Sequence, residues 1–169
     1  MPRPIVAASL LLLLGAAAPA AAQSIACPEG TTPGAQETTE GKLQWCERPA
    51  PGGPIRHGPL VGLYPDGRRR FEFTFVEGTP RGPIRAWYDD GAPSVIGETG
   101  PDNGTLILRD EQGRKRAQVE VRNRQVVTQA WDAEGREETY DEAKLVRALP
   151  ANRDLGFIMR LFAVGVGIQ

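Results

Sequence analysis

The chain has 169 residues, with 20 Lys+Arg, 21 Asp+Glu and one His, and a formal net charge of −1. Hydrophobic residues make up 40% and charged residues 24%, which suits one globular domain and is too apolar for a wholly disordered chain. The near-neutral balance speaks against a dedicated nucleic-acid binder; one His and two Cys supply too few ligands for a zinc framework, so no metal or cofactor is expected.

Residues 1–22 read as a signal peptide. Arg3 gives a small positive region, Ile5 to Leu14 an apolar core, and Ala20-Ala21-Ala22 a cleavage site. A membrane anchor is the competing reading, but so short a core, broken by Gly15 and Pro19, would span a bilayer poorly. Cleavage after Ala22 removes Arg3 and leaves 19 basic and 21 acidic residues, a net charge of −2. Ser24-Ile25-Ala26-Cys27 is similar to a lipobox, yet Ser stands where a large aliphatic residue belongs. An exported chain with two cysteines meets an oxidising compartment, so a Cys27–Cys46 disulfide is expected instead. The expected location is periplasmic or secreted, with lipid anchoring at Cys27 the disfavoured alternative.

Residues 23–56, rich in Pro, Gly and Thr, read as an irregular, disulfide-tied cap with Trp45 beside Cys46. The chain then becomes periodic. Asp66-Gly67, Asp90-Gly91, Gln112-Gly113 and Glu134-Gly135 are turn signals whose glycines lie 24, 22 and 22 residues apart. Gly58, Gly82 and Gly104 each precede a turn glycine by nine residues, and Val126 replaces that glycine in the fourth unit. Read as hairpins with two-residue X-Gly loops, the units set Gly62 opposite Phe71 and Leu60 opposite Phe73. They likewise set Ala86 opposite Val95, Ile84 opposite Gly97, Leu108 opposite Ala117 and Leu106 opposite Val119. Alternate positions carry Glu72, Arg85, Gln118 and Glu120, as a solvated second face requires. Phe71-Glu72-Phe73-Thr74-Phe75 has period two, not 3.6. An all-β fold follows: an elongated antiparallel sheet of stacked β-hairpins, about eight short strands in all.

His57-Gly58-Pro59-Leu60 running to Tyr64-Pro65-Asp66-Gly67, then Arg81 to Gly91, resembles the bacterial variant of the MORN repeat over residues 57–137. The resemblance implies a non-enzymatic scaffolding or binding protein. Some intracellular bacterial members are labelled antitoxin-like, which an export signal argues against.

Candidate chemistry is sparse. His57 is the one imidazole and, with a nearby carboxylate, the best group for a small envelope hydrolase; its place at a repeat entrance explains it equally well. No catalytic residue is assigned. Arg68, Arg69 and Arg70 follow one turn glycine, and Arg114, Lys115 and Arg116 follow another. Stacking would align them in a basic stripe, either for weak contact with an anionic membrane surface or as protection of the sheet edge. Trp87 and Trp131 occupy equivalent positions before their turns, suited to a binding platform or to packing beneath the C-terminal segment. The expected partner is a protein or envelope component, not nucleic acid.

Residues 138–169 complete the chain. Thr139-Tyr140-Asp141-Glu142 has capping-box spacing before a short helix carrying Leu145, Ala148 and Leu149. Leu155 to Ile168 is an apolar tail interrupted by Arg160, too short to span a membrane and expected to dock on the sheet over Trp87 and Trp131.

Overall fold

The computed structural model describes residues 25–168, so the signal peptide expected over residues 1–22 lies outside the described residues. The chain forms one open antiparallel sheet followed by two short helices. The strands are β1 (Thr32–Thr38), β2 (Gly41–Arg48), β3 (Ile55–Leu63), β4 (Arg69–Val76), β5 (Thr79–Pro80) and β6 (Gly82–Trp87). They continue as β7 (Pro93–Gly100), β8 (Asn103–Arg109), β9 (Lys115–Arg122), β10 (Gln125–Trp131) and β11 (Glu137–Glu138), and the helices are α1 (Glu142–Ala148) and α2 (Leu155–Gly165). Strand order follows chain order, with two-residue β5 off the path beside β4.

All six cross-strand pairs expected from the repeat are present: Gly62–Phe71, Leu60–Phe73, Ala86–Val95, Ile84–Gly97, Leu108–Ala117 and Leu106–Val119. These residues line one face, which carries the core. Gly62 has a structural reason: a Cβ there would lie 2.5 Å from the Phe71 ring, so the ring covers the bare backbone opposite it. The other face holds Glu72, Arg85, Gln118 and Glu120 as expected, with Arg85 bonded to Glu72 at 2.9 Å.

Residues 23–56 differ from expectation. They are not an irregular cap, because Thr32–Arg48 forms the hairpin β1–β2 and β2 pairs with β3. The sheet therefore starts 25 residues before position 57. Pro33 and Gly34 read as strand breakers, yet β1 is an edge strand, where proline is tolerated, and Gly34 makes room for the Trp45 ring across from it. Cys46 lies at a register shift between Trp45 and Glu47 and is disulfide-bonded to Cys27, Cα–Cα 5.6 Å. Gly58, at φ +103°, lets β3 pass close to Pro28 and Cys46. The bridge closes a loop of 19 residues and marks an oxidising, non-cytoplasmic compartment. Reducing it should cost about 3 kcal/mol in the chain-entropy model and lower Tm by about 10 °C. A thermal melt with and without reductant checks this.

The tail docks, but as a helix. In α2, Leu155, Ile158 and Phe162 are at most 3% exposed and face the sheet at helical spacing. Phe157 packs on Phe71 and Phe73 at ring-centre distances of 5.4 and 6.2 Å. A Cβ on Gly104 would lie 2.5 Å from Val166 and 2.9 Å from Phe162, so this glycine admits the end of the helix. The Arg81 guanidinium donates to the Gly165 carbonyl. Trp87 and Trp131 are not under the helix, a correction: the core contacts Trp45, Leu43, Tyr140 and Phe157 at its margin instead. In α1 the N-cap is Asp141, whose side chain accepts from Lys144 N–H at 2.9 Å, and not Thr139. Aspartate outranks threonine at that position, and here it stands closer to the helix. Among the described residues, no helix is long and apolar enough to cross a membrane.

Candidate binding groove along the turn edge

The two ends of the sheet are built differently. At one end, tight two-residue turns use left-handed backbone, as at Glu77-Gly78 and Asn123-Arg124. At the other lie the four repeat turns, and they are not two-residue loops. Gly67 N–H donates to Tyr64 O and Tyr64 N–H to Arg68 O, leaving Pro65-Asp66-Gly67 between the closing residues. Tyr88–Ala92, Asp110–Arg114 and Asp132–Arg136 repeat the same pair of bonds. Gly67, Gly91, Gly113 and Gly135 all have φ between +76° and +89°, a conformation that demands glycine.

The three-residue loop offsets the register by one, and a β-bulge in each of the first three hairpins restores it. The extra residues are Arg70, Ser94 and Arg116. This compensation explains why the pairs expected from a two-residue loop are right although the loop is not. It also disperses the basic triplets. Arg68 stays in the turn, bonded to Asp66 at 2.7 Å. Arg69 pairs with Glu72, and the bulge turns Arg70 toward the helices, where it meets Asp154 at 2.6 and 2.8 Å and Glu40 at 2.9 Å. Arg114 bonds Asp110 at 2.8 Å, Lys115 lies 4.1 Å over the Trp131 ring, and Arg116 donates to the Trp131 carbonyl at 2.9 Å. No basic stripe forms, because every member but Lys115 faces a carboxylate within 4.0 Å.

A ladder stitches one turn to the next. Tyr64 OH donates to Trp87 O at 2.8 Å and Tyr88 OH to Arg109 O at 2.6 Å. Where the third turn replaces tyrosine by Asp110, Arg116 supplies the equivalent bond to Trp131 O. Burial raises the Tyr88 phenol to about 12, with Asp110 and Glu111 adding to the rise. Its neutral form is therefore favoured by folding: the stabilisation is whole below about pH 10 and is lost as pH climbs toward 12. An absorbance titration at 295 nm should show one tyrosine ionising last, and Tyr88→Phe should remove that step.

Between the first three turns and the α1–α2 loop runs a groove of ≈ 460 Å³. Its lining brings the candidates Arg68, Arg70 and Trp87 together with Glu40, Tyr64, Asp66, Asp89 and Glu111 and with Asn152 to Asp154. Burial pushes the Asp154 carboxyl up, and the Arg70 guanidinium offsets only part of this. Asn152 is 9% exposed, and its Nδ2 has no hydrogen-bond partner. Among the described residues, Asp89 and Glu111 enter no ion pair, and the lining sets five carboxylates (Glu40, Asp66, Asp89, Glu111, Asp154) against three guanidinium groups (Arg68, Arg70, Arg153), a net charge of −2.

His57 lies elsewhere, at the tight-turn end. Its Nδ1 is 3.1 Å from Glu77 Oε1, and Glu77 N–H reaches the same nitrogen at 3.4 Å. A neutral Nδ1 accepts the amide, and a protonated one donates to the carboxylate. Arg48 pairs with the same Glu77. The groove was not legible from the sequence, because Tyr64, Asp89 and Glu111 stand 88, 63 and 41 positions before Asn152; the one signal was the repeat, which aligns Tyr64, Tyr88 and Asp110.

No protein-family model matches the chain, and no curated protein or solved structure matches it.

Proposed function

We propose that the protein is a non-catalytic, exported repeat module that binds a protein or another component of the cell envelope, in the manner of a MORN-like scaffold. The turn-edge groove is its binding surface. The observation that carries this reading is a groove walled by three successive repeat turns, in which Asp89 and Glu111 enter no ion pair among the described residues. The charge of Asp89 and Glu111 favours a partner that brings cationic groups to the groove, as a basic protein segment does.

The second reading is a small envelope hydrolase, favoured by the 3.1 Å approach of His57 to Glu77. Affinity isolation from the envelope of the producing cell separates the two. Wild type and His57→Ala should retain the same partner in similar yield, and D89K/E111K should lose it at least tenfold. Loss with His57→Ala and retention by the groove variant would move the binding surface to His57, the residue on which the hydrolase reading rests.

A further inference from the structure

The sheet has two free margins, and they are built unlike each other. The β1 margin carries Pro33 and Glu37, devices that discourage strand addition. The β10 margin has neither: Gln125–Trp131 holds no charge, proline or glycine. β11 covers only Ala130 and Trp131. Gln125, Val126, Val127 and Gln129 are exposed, with Val126 at 50% and Val127 at 57%. Asp132 N–H points outward, donating to Arg136 O, so the alternate residues Val126 and Thr128 turn their backbone groups to the same outer side.

We propose that β10 is a homodimer interface, pairing antiparallel with β10 of a second copy about a two-fold axis at Val127. The open window runs from Gln125 to Gln129, and its midpoint is Val127, so two copies match it end to end. Val126 of one copy then exchanges backbone bonds with Thr128 of the other, and the two Val127 side chains face each other as a non-hydrogen-bonded pair. The flanks complement: Arg122 and Arg124, paired within the chain to Glu120 and Asp102 yet 74% and 68% exposed, precede the window, and Glu137 and the Lys144-paired Glu138 follow it, so antiparallel pairing brings basic flank beside acidic flank. The result is one continuous sheet through both copies, leaving the turn-edge grooves free.

Sedimentation and crosslinking of the disulfide-intact protein test this. Wild type should sediment at twice the monomer mass with a Tm that rises with protein concentration, and Val127→Lys should be monomeric, still unfold cooperatively and show a Tm independent of concentration. A Val127→Cys variant should form an intermolecular disulfide, since facing non-hydrogen-bonded positions lie within bridging distance. Val76→Cys, 45% exposed on β4 but away from this margin, should not. A monomeric wild type, a dimer that survives Val127→Lys, or equal crosslinking at both positions would overturn the proposal.

Discussion

Truncation after Pro150 should abolish cooperative unfolding. The removed segment places Leu155, Ile158, Phe162 and Val166 on the sheet, none more than 3% exposed. Burying each contributes about 1.5–3 kcal/mol, so the four together rival the whole stability of a domain, about 5–15 kcal/mol. The core face of β4, β6, β7 and β8 would be left open, and the product should aggregate or populate a loose state. Phe162→Ala is the graded form of the experiment, expected to cost about 3–5 kcal/mol in urea unfolding. Its native emission from Trp87 and Trp131 should change little, because both lie outside the core cluster, and any shift should come from Trp45, which packs against that cluster.

Arg70→Met should be the most damaging single change outside the apolar core. The Arg70 and Asp154 side chains are 11% and 15% exposed, and removing one member of a nearly buried pair leaves the other charged and without its partner, at a cost of about 3 kcal/mol. The pH dependence carries the signature. Burial already pushes Asp154 up, and without Arg70 nothing of comparable size holds it down. A carboxyl raised in the folded state favours folding fully below its unfolded value, about 3.9, and that favour is lost as pH rises through the folded value. The deficit of Arg70→Met relative to wild type should therefore be largest at pH 7 and shrink on acidification toward pH 4. Paired denaturant titrations at the two pH values measure it, and a deficit that grows in acid would contradict the assigned pair.

The repeat was legible because it is written twice, once in the spacing of the turn glycines and once in the period of two between them. Gly62 and Phe71 can be paired from sequence by counting outward from the turn glycine, and a small residue opposite a large one suits that register. The bulges were not legible: nothing local distinguishes Arg70 from Arg69, and only Asp154, 84 positions away, gives the bulged residue its place. The triplets thus read as a stripe although the fold deals their members to turn, open face and helix face. Helix α2 was hidden for the opposite reason, since a run apolar on nearly every side shows no periodicity until the sheet selects Leu155, Ile158 and Phe162. In β1 the edge location excuses Pro33, which a reading of residues in isolation counts against a strand.

The measurement that bears most directly on the turn-edge groove as the binding surface is site-specific photo-crosslinking in the producing cell. A photoreactive side chain at Glu111, on the groove wall, should give a discrete adduct with one partner. The same group at Ile107, on the sheet face opposite the core, should give none. A discrete adduct from Ile107 with none from Glu111 would contradict the account.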